Sequence, residues 1–150
     1  MRNLPTVLLV DDDPNDILLF RNAIRKSPIR VRLQAVSDGN DAIEYLKGEG
    51  AFGDRTEYPL PGIVILDLHM PRVGGLAVVR WIRNQLWLTG LPVVVFTGSD
   101  YSRSVTEAME SGADTYVVKD QDTDGLIELL QHMDLGWKQG NQNAGASLKT

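Results

Sequence analysis

The chain has 150 residues, 43% of them apolar and 23% charged, which suits a single globular domain with a full core. A formal net charge of −5 and the lack of any basic run argue against binding to nucleic acid or to an anionic membrane surface. The absence of cysteine excludes disulfides, thiolate metal sites and thiol nucleophiles, and no stretch reaches signal-peptide or membrane-span length, so a cytoplasmic protein is expected.

In chain order, Thr6 to Val10 is a short apolar run that ends in Asp11-Asp12-Asp13-Pro14. That pattern predicts a strand, a carboxylate cluster and then a helix capped by Asp13, with Pro14 in the first turn. The helix over Asp16 to Lys26 places Ile17, Phe20, Ala23 and Ile24 on one face. Val31 to Val36 alternates Val31, Leu33 and Ala35 with Arg32 and Gln34, the pattern of a strand at a sheet edge. Ser37 or Asp38 caps a second helix reaching Lys47, with Ala42, Ile43 and Leu46 inward. Residues 48–62, with two Pro and four Gly, read as a long structureless surface loop.

Ile63-Val64-Ile65-Leu66 then stops at Asp67, the pattern of a central strand buried on both faces of a parallel sheet. After the turn at Pro71 to Gly75, a third helix is predicted over Leu76 to Leu88, with Val79, Ile82 and Leu86 on its inner face. A further buried strand, Val93 to Phe96, ends at Thr97-Gly98-Ser99-Asp100. A helix from about Ser102 to Glu110 follows, and then the strand Thr115 to Val118, which ends at Lys119. The last helix begins at Asp122 or Thr123 and runs to about Trp137, with Leu126, Ile127, Leu130 and Met133 inward. Residues 1–137 are read as one domain, and 138–150 as a polar, disordered tail too short for an output domain.

Five strands alternating with five helices predict an α/β, doubly wound, five-stranded parallel sheet. Parallel strands would bring Asp11, Asp67, Thr97 and Lys119 to one rim, where open α/β folds bind ligands. Two carboxylates about 4 Å apart repel by roughly 4 kcal/mol at an effective dielectric of ~20, so Asp11, Asp12 and Asp67 call for a cation. Oxygen-only ligands select a hard ion such as Mg²⁺. Thr97 and Lys119 could hold two oxygens of a phosphoryl group, and Asp67 could act as a nucleophile that forms an aspartyl-phosphate.

The motifs VLLVDDDP, VILDLHMP, VVVFTGSD and YVVK resemble those of two-component response-regulator receiver domains, over residues 6 to about 137. The intervals of 30 residues from Asp67 to Thr97 and 22 from Thr97 to Lys119 match that family. The resemblance implies the flavodoxin-like (CheY-like) strand order 2-1-3-4-5. It implies a single-domain response regulator of a phosphorelay, in which Asp67 accepts a phosphoryl group from a sensor histidine kinase. Asp12, Asp67 and the backbone carbonyl of His69 would bind Mg²⁺, or Mn²⁺ in its place, with Asp11 acting mainly through water. Thr97 and Lys119 would contact the phosphoryl group, and Tyr116 would couple it to the surface of the fourth helix, fifth strand and fifth helix, a candidate homodimer face. His69 and Ser99 would tune the lifetime of the aspartyl-phosphate. The long loop, Trp137 and Asp120 in place of the family's Pro are similar to small stand-alone regulators paired with bacterial phytochromes. That Asp120 leaves the geometry of the Lys119-Asp120 bond open.

Plainer readings stand beside these. Asp13 is read as a helix cap only, His132 as a surface residue, and Trp81, Trp87 and Trp137 as helix packing, although three Trp near helix ends could include partner-facing ones. Tyr116 alone would be a half-buried strand aromatic, and a side-chain metal role for His69 lacks a second His. The chain is expected to be no enzyme beyond its own phosphotransfer and autodephosphorylation. Two rivals remain: a haloacid-dehalogenase-like phosphatase, which would need an acid where His69 stands and a cap, and a degenerate receiver that binds partners without phosphorylation.

Overall fold

A computed structural model describes residues 4–70, 72–98, 103–119 and 125–132. Five strands, β1 (Thr6–Val10), β2 (Arg32–Val36), β3 (Ile63–Leu66), β4 (Val93–Thr97) and β5 (Thr115–Val118), form one parallel sheet in the order 2-1-3-4-5. The helices are α1 (Pro14–Lys26), α2 (Gly39–Lys47), α3 (Gly75–Arg83), α4 (Arg103–Glu110) and α5, helical over residues 125–132.

The central strands lack polar alternation because both their faces are covered. Leu8, Val10, Val64, Leu66, Val93 and Val95 pack toward α2, α3 and α4. Their sequence neighbours Val7, Leu9, Ile63, Ile65, Val94 and Phe96 pack toward Phe20 of α1 and toward Leu126, Ile127 and Leu130 of α5. Successive side chains of a strand point to opposite faces, so one apolar run feeds two cores. The edge strands differ. In β2, Leu33 and Ala35 are half-buried, while Arg32 and Gln34 donate to the carbonyls of Thr56 and Glu57.

The helix starts follow from the caps in the sequence. Asp13 accepts from the Asn15 amide at 2.9 Å, and of the two candidates at the second helix it is Asp38 that caps, accepting from the Asp41 amide at 2.9 Å.

Two expectations fail. The third helix does not continue to Leu88: α3 ends at Arg83, and Leu86–Leu88 form a separate 3₁₀ turn. This break turns Leu86 outward, to 90% exposure, and buries Leu88 in its place. Trp81 packs on the core as expected, but Trp87 is more than half exposed, their rings meeting edge to face. Nor is the 48–62 segment structureless. Gly50–Phe52 form a 3₁₀ turn, and Arg55 donates to the carbonyls of Tyr45 (2.8 Å), Leu46 (2.6 Å) and Tyr58 (3.1 Å). Arg55 thus ties the carbonyls at the end of α2 to the loop, its guanidinium 6.0 Å from the Tyr45 ring centroid, while Tyr45, Phe52 and Tyr58 contact one another in tilted and edge-to-face pairs. The expected start of the last helix, Met133, Trp137 and the 138–150 tail lie outside the described residues.

Candidate functional site

The carboxyl ends of β1, β3, β4 and β5 meet on one rim, as parallel pairing requires. The backbone fixes the meeting: the Asp67 amide donates to the Val10 carbonyl at 2.9 Å, and the Lys119 amide to the Thr97 carbonyl at 2.7 Å. Asp11, Asp12 and Asp67 each offer a carboxylate oxygen within 4.8 Å of the others, with Asp11 and Asp67 buried and Asp12 exposed.

Both oxygens of Asp67 are engaged. Oδ1 accepts from the His69 amide at 3.1 Å, and Oδ2 from Lys119 Nζ at 3.2 Å. The turn carrying His69 must pass close beneath: a Cβ on Gly75 would collide with the Asp67 carbonyl oxygen and reach 2.8 Å from Leu68 Cα. Arg72, on the same turn, sits at φ 62, a conformation that costs a non-glycine residue roughly 1–2 kcal/mol. Its pairing with Asp38 at 2.9 Å, and the Gly39 amide bonded to the Val73 carbonyl, hold the turn against the start of α2.

Lys119 is the electrostatic centre. Its Nζ lies 2.7 Å from Asp16, 2.9 Å from Asp11 and 3.2 Å from Asp67, and 5.7 Å from the ring centroid of Phe96. Burial opposes its charge, but its close contacts to Asp16 and Asp11 and the negative charges of Asp67 and Asp11 outweigh that and hold its pKa above the usual lysine value. For Asp11 burial wins: its carboxyl is pushed above the ordinary carboxylate value, although the Asp13 amide and Lys119 work the other way. The Oδ2 of Asp11 is at ion-pair distance from Lys119 without hydrogen-bond geometry, and the Thr97 hydroxyl is buried without a hydrogen-bond partner among the described residues. An unpartnered buried hydroxyl costs free energy unless something else binds there.

The residues present fit a hard divalent cation. Asp11, Asp16 and Asp67 face a single ammonium and Asp12 lies beside Asp11 and Asp67, leaving a formal excess of three negative charges among these described residues. All the donors are oxygens.

The sequence-predicted residues Asp11, Asp12, Asp67, Thr97, Lys119 and His69 are brought to this rim. Tyr116 lies on edge strand β5 with 39% of its surface exposed, and its ring belongs to neither core cluster. The His69 side chain is exposed, as is His132. Ser99 and the Lys119-Asp120 bond lie outside the described residues. Asp16 was missed by sequence reasoning: it lies one helical turn before Phe20, on the inner face of α1, and that i, i+4 spacing was the available signal.

Among the described residues no helix is long and apolar enough to cross a membrane. Residues 7–131 match the family model described as the response regulator receiver domain. The chain is 28% identical over 131 residues to the response regulator Rcp1 of Synechocystis sp., covering 87% of each chain. The Mn²⁺-bound form of Rcp1 is a structural neighbour, with a TM-score of 0.73 over 89% of this chain and 94% of that one. Response regulator RPA3017, in red light signaling of R. palustris, gives a TM-score of 0.78 at 33% identity, over 94% of this chain and 96% of that one. The bacteriophytochrome response regulator RtBRR gives 0.76 at 35% identity, over 89% and 79%.

Proposed function

The chain belongs to the response regulator receiver family, and from that premise we propose that it is a cytoplasmic phosphorelay switch whose phosphoacceptor is Asp67. The observation that carries this reading is the double anchoring of the buried Asp67 carboxylate, between the His69 amide and Lys119, inside an acidic cluster. A carboxylate fixed in this way is oriented for in-line attack on phosphorus.

In the transfer, an Asp67 oxygen forms the new P–O bond as the P–N bond to a kinase phosphohistidine breaks. The electron pair goes to the imidazole nitrogen of the leaving histidine. Lys119 and the Thr97 hydroxyl stabilise charge on the phosphoryl oxygens, and the unpartnered state of that hydroxyl supports this role. Asp11, Asp12, Asp67 and the His69 carbonyl would hold Mg²⁺, or Mn²⁺ in its place, which when bound neutralises phosphoryl charge.

Tyr116 is assigned the readout. Its exposed position on β5 leaves it free to turn inward when Thr97 is drawn to the phosphoryl group, which would alter the face of α4, β5 and α5 and with it homodimerisation. His69 and Ser99 are assigned the lifetime of the phosphoryl group. The partner is a sensor histidine kinase of phytochrome type, a reading supported by the similarity to RPA3017 and RtBRR. Residues 1–137 are assigned to the receiver and 138–150 to a tail. No further substrate is turned over.

Intact mass after incubation with Mg²⁺ and acetyl phosphate tests the reading. Wild type should gain one phosphoryl mass (about 80 Da by chemistry alone), and Asp67→Asn or EDTA should abolish the gain. A gain of equal size on Asp67→Asn, or none on wild type with any donor, would overturn it.

A further inference from the structure

Asp16 stands outside the three-carboxylate cluster, yet it makes the shortest contact to the lysine: 2.7 Å, against 2.9 Å for Asp11 and 3.2 Å for Asp67. An aspartate in the first turn of a helix already complements the helix dipole. That role needs no lysine and no burial, whereas the Asp16 side chain is only 24% exposed and points at Nζ. The local fold explains how it arrives there. Four residues on, Phe20 packs against Phe96, ring centroids 6.0 Å apart, and the Lys119 ammonium lies over Phe96 on the way to Asp16. One face of α1 therefore supplies both the packing beneath the lysine stem and the acid that receives its head.

We infer that Asp16 is a positioning residue, which holds Lys119 on the α1 side of the rim while Asp67 is unmodified and surrenders it once Asp67 carries a phosphoryl group. The inference rests on the phosphoacceptor reading of Asp67. An ammonium has three N–H donors, and three carboxylates lie within 3.2 Å of this one. Two of these contacts, to Asp16 and Asp67, are hydrogen bonds, so a phosphoryl oxygen on Asp67 that draws the ammonium toward itself competes with Asp16 for it. Asp11 is fully buried and Asp67 is 7% exposed, so water can replace the lysine most cheaply at Asp16. In the resting state the same contact draws positive charge away from Asp67, and so leaves the acidic cluster open to a cation.

The test uses the full chain in two measurements. The first is the 15N–1H resonance of the Lys119 ammonium in the unphosphorylated protein, assigned by its loss in Lys119→Met. Asp16→Asn should broaden or abolish the protected signal, and Asp16→Glu should restore it. Acetyl phosphate with Mg²⁺ should shift it in wild type. The second is Mg²⁺ affinity around the cycle of Asp16→Asn and Lys119→Met. Asp16→Asn should weaken binding by roughly fivefold when the lysine is present, within the coupling expected of residues in contact, and by less than about twofold in Lys119→Met. An unchanged ammonium signal, or equal losses in both backgrounds, would overturn the inference, the latter by showing a through-space charge effect only. Asp16→Ser serves if Asp16→Asn does not fold. Lack of any phosphoryl adduct on wild type would instead overturn the reading of Asp67, because the resting-state signal and the Mg²⁺ cycle do not depend on it.

Discussion

Replacing Lys119 with Met keeps most of the stem but removes the only ammonium within reach of Asp11, Asp16 and Asp67 among the described residues. Breaking a buried ion pair from one side costs about 3–5 kcal/mol, because the remaining charge is left unpaired. A limit exists, since a stranded carboxylate can take up a proton. For a group with the ordinary value of 3.8, protonation at pH 7 costs about 4.4 kcal/mol, and at pH 5 about 1.6 kcal/mol. Burial already favours the neutral form of Asp11, so the proton goes there and the real cost falls below the limit. The lysine itself is charged throughout: its stabilisation is complete below the free value of 10.5 and lost only as pH rises through its higher folded value. Urea unfolding of Lys119→Met against wild type should therefore show a loss of about 3–4 kcal/mol at pH 7 and about 1 kcal/mol at pH 5. Millimolar Mg²⁺ should recover much of the loss at pH 7, because it binds the folded state and replaces the missing charge. An equal loss at both pH values, unmoved by Mg²⁺, would mean that Lys119 acts through its packing over Phe96, and the electrostatic account would be wrong.

Other expectations follow from single contacts. Gly75→Ala should destabilise by about 1–3 kcal/mol through overpacking against the Asp67 backbone and slow acetyl phosphate labelling; Gly90→Ala, where a Cβ would meet nothing within 4 Å, should change neither. Burial raises the Tyr45 phenol to about 12, its OH being bonded to the Pro59 carbonyl at 2.8 Å. The neutral phenol is thus the folded form, and its stabilisation is full below pH 10 and lost as pH rises through about 12, a loss of about 2–3 kcal/mol. Tyr45→Phe should remove the step near pH 12 of the phenolate titration and cost about 1 kcal/mol at pH 7. Arg55→Met should cost about 2 kcal/mol and expose the amides of residues 54–58 to hydrogen exchange, without changing phosphorylation of Asp67.

The sheet was legible because a strand buried on both faces must be apolar throughout, and Val7 to Val10, Ile63 to Leu66 and Val93 to Phe96 are. The alternation in β2 marked an edge for the same reason. Leu86 misled because it continues the spacing of Val79 and Ile82, while nothing in that spacing reports that the helix stops at Arg83. What ends it is tertiary: Arg83 donates to the Leu91 carbonyl at 2.8 Å and the Gly112 carbonyl at 2.9 Å, tying the end of α3 to the segments before β4 and β5. Arg55 misled in the opposite direction. A charged residue amid Gly and Pro reads as solvated, and its three carbonyl partners, Tyr45, Leu46 and Tyr58, cannot be seen until α2 and the loop are placed together.

At the rim, strand ends could be read one at a time because parallel pairing forces them to converge, and Asp11, Asp67, Thr97 and Lys119 each end an apolar run. Asp16 ends nothing. It begins a helix, where acids are common, and only its spacing from Phe20 places it on the inner face. The consequence is chemical as well as topological. A rim built from strand ends alone gives the lysine two buried carboxylates and no route away from them, so a phosphoryl group would have to displace an ion pair that water cannot reach. An acid from α1, partly open to solvent, supplies the contact that can be exchanged, and it does so from a helix that shares Phe20 with the strand bearing Thr97. The sensitivity of the switch to phosphorylation then depends on how firmly α1 is packed against β4. On this argument Phe20→Leu, which would loosen the Phe96 contact while keeping Asp16, should broaden the Lys119 ammonium signal partway toward that of Asp16→Asn, and an unaltered signal would separate the helix from the switch.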